Sequence, residues 1–219
     1  MKKCLVTESL VNSVDWYSTA PEAIIKPERG GDGKMTWKDK AWADLKAILN
    51  RERGVFSPEA QWGVNFERKV YTLANLEDRG GGSELFNQVC DEVKGFDFRE
   101  KGKKVLTIDG ETCLLYCKYD AIKLPVLKDL KTTGTYKKGK YLNGFQHLQY
   151  CTVSGADRFE YIITEWEEYP VIKAVHKEVF EVKNHNLLER QVSEIISGTF
   201  MQIKALGLWD VYKNVYCMY

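Results

Sequence analysis

Along the first third of the chain, apolar residues recur three and four positions apart, the period of a helix with one buried face. Leu5 to Trp16 shows it first. Thr36-Trp37-Lys38-Asp39 then reads as a capping box, in which a threonine and an acid three residues on each take up a free backbone N–H. Behind it, Trp37, Ala41, Leu45, Ile48 and Leu49 lie on one stripe. Ser57-Pro58 supplies a cap and a proline at the first helical position. Trp62, Phe66, Val70, Leu73 and Ala74 mark the buried face of the helix that follows, which ends before the loop Gly80-Gly81-Gly82. Trp37, Trp42 and Trp62 fall on these stripes and are expected in the core. Ser83 opens a short helix through Phe86, Val89, Cys90 and Val93, stopped by Gly95.

The period then shortens to that of strands. Val105 to Ile108, Thr112 to Ile122 and Val126 to Thr132 are short β-rich runs separated by Asp109-Gly110 and Leu124-Pro125, and they read as a meander. Tyr141 to Ser154 returns to helix and ends at Gly155. Phe159 to Trp166 and Val171 to Val182 predict two more strands, and Asn184 caps a long amphipathic helix through Leu187, Leu188, Val192, Ile195, Ile196, Phe200 and Ile203. Helices, three strands, helix, two strands, helix is the order of an α/β core with a mixed sheet. The 219 residues suit a single domain, with residues 1–95 mainly helical and 96–219 carrying the sheet and its flanking helices.

Bulk composition narrows the function only by exclusion. The net charge of +1 gives no global pull on nucleic acid, so a surface for a polyanion must be local. No apolar run approaches the about 20 residues that cross a bilayer, and Lys2-Lys3 is not followed by a long apolar stretch. The expectation is a cytoplasmic protein with no membrane partner. Of six cysteines, no two form a C-x-x-C pair. Cys113 and Cys117, an even offset apart on a predicted strand, share a face and read as two buried, reduced thiols.

Chemistry concentrates in Lys118-Tyr119-Asp120 and Lys128-Asp129-Leu130-Lys131-Thr132-Thr133. Side chains alternate along a strand, so Asp129 and Lys131 point one way while Leu130 points into the core. Asp120 lies near the end of the preceding strand, and eight residues separate the two aspartates, a gap that a hairpin closes. Two carboxylates so placed can hold a hard divalent cation, with water and substrate phosphate completing its shell. The ammonium can orient the attacking water or neutralise charge in the transition state. D-x-K by itself is common: Asp32-Gly33-Lys34, Glu92-Val93-Lys94 and Glu181-Val182-Lys183 have the same form. The first sits in a glycine loop, the second on a helix, and the third has no companion acid on a facing strand. Gln146 and Tyr150, four apart, share a face of the next helix, and Glu67 lies beside the apolar stripe of an earlier one. Lys137, Lys138 and Lys140, with Tyr136 and Tyr141, make a basic-aromatic loop just past the D-x-K strand, suited to phosphate contact. His147 points about 100° away from Gln146 around its helix and reads as structural.

The ordered set of acid helix, strand aspartate, D-x-K strand and Q-x-x-x-Y helix resembles the RecB-type branch of the PD-(D/E)XK nucleases. Trp62-Gly63-Val64-Asn65-Phe66-Glu67 is similar to the W-G-x-x-(F/Y)-E run of lambda-type phage exonucleases, and Gln146 to Trp166 to their helix and aromatic-rich strand. The likeness covers about residues 60–182. It implies a restriction-endonuclease-like α/β fold with a central mixed sheet flanked by helices. It further implies an Mg²⁺- or Mn²⁺-dependent deoxyribonuclease with DNA as partner, an exonuclease on linear ends in phage or bacterial recombination or repair. Under the resemblance Glu67, Asp120 and Asp129 bind metal, the backbone carbonyl of Leu130 completes the shell, Lys131 positions the nucleophile, and Gln146 and Tyr150 touch the site or the DNA end. Lys118, Thr132, Thr133, Lys137, Lys138 and Lys140 would contact DNA. A homo-oligomer and a single-strand annealing partner are both compatible with it. So are a structure- or sequence-specific endonuclease and a catalytically silent DNA-binding subunit. Three departures stand out. Tyr119, not proline, precedes Asp120. All three histidines (His147, His176, His185) follow the catalytic strands, leaving Glu67 as the upstream ligand. Cys217 has no clustered cysteine neighbours, so no iron–sulfur cluster is expected.

Overall fold

The computed structural model describes residues 3–25, 35–52 and 57–217; Asp32-Gly33-Lys34 falls outside them. In chain order the elements are β1 (Cys4–Val6), α1 (Glu8–Thr19), α2 (Trp37–Leu49), α3 (Pro58–Leu73), α4 (Glu84–Val93), β2 (Asp97–Phe98) and β3 (Lys101–Ile108). Then come β4 (Glu111–Lys118), β5 (Ala121–Lys123), β6 (Val126–Thr133), a 3₁₀ turn at Tyr141–Asn143 and α5 (Gln146–Ser154). The chain ends with β7 (Arg158–Glu168), β8 (Val171–Glu181), α6 (His185–Ala205) and α7 (Trp209–Tyr216). The expected α/β class with a mixed sheet is what forms. Among the described residues, no helix is long and apolar enough to cross a membrane.

The chain divides into two compact units, one of Met1–Gly54, Lys104–Tyr116 and Glu189–Tyr219, the other of Val55–Lys103 and Cys117–Leu188. In the first, β1 runs parallel to β4 in a sheet of order β1-β4-β3. Its core takes Leu10, Val11 and Val14 of α1, Ala41, Leu45 and Leu49 of α2, and Val192, Ile196, Phe200 and Ile203 of α6. The Tyr212 hydroxyl donates to the Leu5 carbonyl at 3.1 Å, and that of Tyr216 to the Ile48 carbonyl at 2.7 Å. Cys217 does not stand alone: it is joined to Cys4 as a disulfide. Cys113 is free and buried, as is Cys117 in the other unit.

The second unit holds a five-stranded mixed sheet of order β2-β5-β6-β7-β8, antiparallel except between β6 and β7. A parallel pair needs a crossover, and α5 supplies it. Gly155 ends that helix in the left-handed region at φ 74°, where glycine carries no Cβ penalty. β7 lies between β6 and β8, and Phe159 to Glu165 is buried throughout, as expected of a strand covered on both faces. On one face Leu130 and Ile162 pack against Phe66 and Val70 of α3 and Phe86, Val89 and Val93 of α4. The opposite face presents Asp129 and Lys131 beside Tyr161, which pairs with Asp129 in register, and α5 lies over it.

Four expectations are corrected. Cys4–Val6 is a strand, and α1 begins only at Glu8, capped by Thr7, which accepts the Leu10 N–H. Thr112 to Ile122 is not one strand: β4 and β5 are separated by Tyr119-Asp120 and belong to different sheets. Tyr141 to Ser154 is a 3₁₀ turn followed, after Gly144, by α5. Trp37 and Trp62 are not core residues, being 38% and 37% exposed, because the apolar stripe is narrower than the helical spacing implies and they sit on its edge.

Candidate active site

β6 follows the rule of alternation. Leu130 enters the core at 2% exposure, while Asp129, also 2% exposed, and Lys131 share the other face. A buried carboxylate requires partners. Asp129 meets the Lys131 ammonium at 2.8 Å and accepts a hydrogen bond from the side-chain amide of Gln146 at the start of α5. Gln146 is itself buried, so the amide is held in place rather than waving in solvent.

Asp120 sits in the break between β4 and β5, where the turn sends its side chain to β6. The backbone N–H of Leu130 donates to its carboxylate at 3.0 Å. Asp120, from the break, thus meets the peptide that joins Asp129 to Leu130 on β6. The break is fastened on its other side, where the Tyr119 N–H donates to the Glu100 carbonyl at 2.8 Å and the Arg99 N–H to the Asp120 carbonyl at 3.2 Å. Glu67 comes from α3. That helix lies unusually close to β6: a Cβ at Gly63 would stand 2.9 Å from the Thr132 hydroxyl. Gly63 is about one helical turn before Glu67, on the same side of α3.

Electrostatics reports the convergence. Burial, then the negative charges of Asp129 and Glu67, drive the Asp120 carboxyl well above the usual range, against the Leu130 N–H and Lys131. Burial and then Asp129 also raise Glu67, opposed by Lys131, Arg99 and Lys118. Three carboxylates that repel one another beside a single ammonium will take up either protons or a cation. Among the described residues, no group of three or more His, Cys, Asp or Glu is arranged to hold a metal ion, so this is not a ready three-carboxylate cage. The donor set suits instead a hard cation bound through one or two carboxylates and water, the manner of Mg²⁺.

The remaining expected residues divide. The Tyr150 ring lies edge-on to Tyr119, centroids 5.5 Å apart, and to Phe159, 5.9 Å apart; it packs behind the Asp120 break. Lys118 is exposed at the end of β4, and its charge is felt at Glu67. Thr132 packs against Gly63, and the Thr133 hydroxyl donates to the Thr135 carbonyl at 2.9 Å. Lys137, Lys138 and Lys140 are exposed on a loop tied to β8. There Glu178 accepts from the Tyr136 hydroxyl at 3.1 Å and the Gly139 N–H at 2.6 Å, and Tyr136 stacks on His176. His147 is structural, as expected: it is buried, with Nδ1 3.2 Å from the Tyr161 hydroxyl and its ring against Phe180.

Tyr71 and Arg99 escaped the sequence reading, and Tyr141 was read only as part of the basic-aromatic loop. Tyr71 lies one turn past Glu67, and the carboxylates of Asp120, Glu67 and Asp129 add to burial in keeping its hydroxyl protonated. The four-residue spacing was the available signal. The Tyr141 hydroxyl feels Lys131, Thr133 and Asp129. Arg99 acts on Glu67 from a turn where its φ is 62°, and no pattern in the chain marks it.

No family model and no curated protein matches the sequence. Solved structures do resemble the fold. The chain is similar to the crystal structure of SSO0001, with a TM-score of 0.53 and 12% identity over 92% of this chain and 77% of that one. It is also similar to an alkaline exonuclease, LHK-Exo, from Laribacter hongkongensis, with a TM-score of 0.48 and 12% identity over 92% of this chain and 91% of that one. At such identity the likeness to SSO0001 shows a common fold.

Proposed function

We propose that this chain is a metal-dependent nuclease that hydrolyses DNA phosphodiester bonds, acting on linear ends. The observation that carries the reading is the Asp129-Leu130-Lys131 strand. Asp120 is hydrogen-bonded to its middle peptide, Gln146 to its aspartate, and Glu67 lies within electrostatic reach of both aspartates. A salt-bridge ladder on an exposed strand would not bury Asp129 or draw two more acids toward it. The preference for ends, and a role in recombination or repair, rests on the motif resemblance.

Asp120 and Asp129, with the Leu130 carbonyl, would hold Mg²⁺ or Mn²⁺, and Glu67 would contribute from the other side, directly or through water. The bound ion supplies a water acidic enough to deprotonate near neutral pH and offsets charge on the phosphate. The protein's own groups do the rest. Lys131, held by Asp129, places a positive charge where water attacks and where phosphorus gains negative charge. Gln146 fixes the Asp129 rotamer. The water oxygen bonds to phosphorus and gives up a proton to solvent, the bond to the departing strand breaks, and that strand's oxygen takes a proton from solvent. Lys137, Lys138 and Lys140 would steady the phosphates alongside.

The test is digestion of linear duplex, linear single-stranded and closed circular DNA with Mg²⁺, beside Asp129→Asn and Lys131→Ala. Loss of one well-placed electrostatic group costs on the order of 10²–10³-fold in rate. Wild-type digestion of linear DNA that spares circles, with both variants reduced that far, supports the proposal. Cutting of circles removes the end-dependent part. DNA binding without cleavage under Mg²⁺ or Mn²⁺ removes catalysis.

A further inference from the structure

Immediately beyond Lys131, the strand becomes the wall of a cavity of about 490 Å³, within the about 300–1,000 Å³ typical of small-ligand pockets. Thr132, Thr133 and Gly134 line it together with Trp62 of α3, Trp166 of β7 and Tyr169 of the β7–β8 turn. The rings are ordered among themselves. Trp62 lies flat on Tyr169, centroids 5.0 Å apart and planes 4° apart. Tyr169 meets Trp166 edge to face at 5.3 Å, and Trp166 meets Phe66 of the core at 5.1 Å. The aromatic series is therefore anchored at Phe66 and ends at the surface in Trp62.

Burial does not account for the outer end. Trp62 is 37% exposed, and stacking it on Tyr169 leaves a broad flat ring at the mouth of a cavity. Such a wall beside a phosphate-handling strand matches how proteins hold single-stranded nucleic acid, where bases stack on aromatic side chains. Thr132 faces α3 with Leu130, but Thr133, which also lines the cavity, shares the Lys131 face of β6 and lies about 7 Å further along the strand, within reach of one nucleotide. Charge selects the part of the nucleotide that enters. Glu59, Glu167 and Glu168 also line the cavity and repel phosphate, so the uncharged base is the moiety that fits.

We propose that this pocket receives one unpaired nucleobase of the strand being cut, stacked with Trp62 and Tyr169, beside the scissile phosphate. The inference rests on the nuclease reading for the identity of the strand. Every base has a π-face, so the pocket senses that a base is present and unpaired, not which base it is.

The test compares single-stranded oligonucleotides that are intact or abasic at the nucleotide flanking the cleaved bond. Binding by the full chain is read by fluorescence anisotropy without Mg²⁺, and cleavage with it, for the wild type, Trp62→Phe and Trp62→Ala. The expected result is that the abasic position and Trp62→Ala each weaken binding on the order of 10-fold. Combined, they should cost little more than either alone. Trp62→Phe should keep most of the affinity, and the effect on cleavage should fall on KM rather than kcat. Equal affinity of the wild type for intact and abasic strands overturns the proposal whatever the variants do. Cleavage without base discrimination removes the pocket and leaves the nuclease. Base discrimination without cleavage removes the nuclease and leaves the pocket.

Discussion

Gly63→Ala probes whether the close approach of α3 to β6 is what delivers Glu67 to the aspartates. The added methyl would stand 2.9 Å from the Thr132 hydroxyl, where ordinary contact begins near 3.4 Å, so about half an ångström must be found. Alanine also favours the helix by about 1 kcal/mol over glycine, which offsets much of the crowding in global stability. Glu67 is about 6 Å further along the axis at 1.5 Å per residue, and a helix that rides up at Gly63 carries the acid with it. Catalytic groups tolerate about 0.5 Å of displacement, and an error of about 1 Å can cost 10²-fold. We therefore expect Gly63→Ala to lower kcat on the order of 10-fold while its unfolding free energy in urea stays within about 1 kcal/mol of wild type. Thr132→Ala in the same chain removes the obstructing hydroxyl and should restore most of the rate; Thr132→Ala alone serves as the control. The four proteins form a cycle in both kcat and stability. Full activity in Gly63→Ala, or no rescue by Thr132→Ala, would refute the idea that this contact positions Glu67. Coupling in the stability arm is measurable even without turnover.

Two further outcomes follow from the same unit. Burial holds the His147 imidazole at about 4 against an ordinary 6.5, so the folded protein refuses a proton that the unfolded chain accepts, and this stability is complete above about 6.5 and lost as pH falls toward 4. Relative to His147→Gln, the wild type should lose about 2–3 kcal/mol between pH 7.5 and 4.5 in urea unfolding; a difference between the two that does not move with pH contradicts it. Replacing Lys137, Lys138 and Lys140 together with glutamine should flatten the dependence of log affinity on log salt by about 0.7 per lost phosphate contact on single strands. An unchanged slope in anisotropy titrations would mean that the loop lies off the nucleic-acid path.

What could be read from the chain follows the range of the interaction involved. The caps at Thr36 and Ser57, the stripe through Phe66 and Val70, and the alternation from Asp129 to Lys131 are all set within a few residues, and each stands as the pattern implies. The break at Tyr119-Asp120 is not local in this sense. Alternation runs on through Cys117 and Tyr119, both buried, and nothing in the pattern says that Ala121 joins a different sheet. Only the backbone pairing of residues 99 and 100 with 119 and 120 bends the chain there. Helical spacing likewise gave the direction of Trp62 but not its exposure, because a stripe does not state how far the neighbouring strand extends beneath it.

The site itself mixes both ranges, and this decides which of its residues could be recognised alone. Asp129 and Lys131 are two apart on a strand, Glu67 and Tyr71 four apart on a helix, and Gln146 and Tyr150 four apart on another, so each pair carries a local signature. Equal spacing does not confer equal roles: Gln146 turns to Asp129, while the Tyr150 ring goes to Tyr119 and Phe159. The difference arises from the parallel register of β6 and β7, which sets Tyr161 beside Asp129 and Phe159 two residues further back. The start of α5 therefore meets the acid, and the next turn meets aromatic rings. A partner for Asp120 is likewise unreadable in one dimension, since it is the peptide N–H of Leu130, a group every residue but proline possesses. Asp129, Lys131 and Gln146 thus announce themselves by local spacing, whereas the backbone N–H that holds Asp120 is identified only by sheet register.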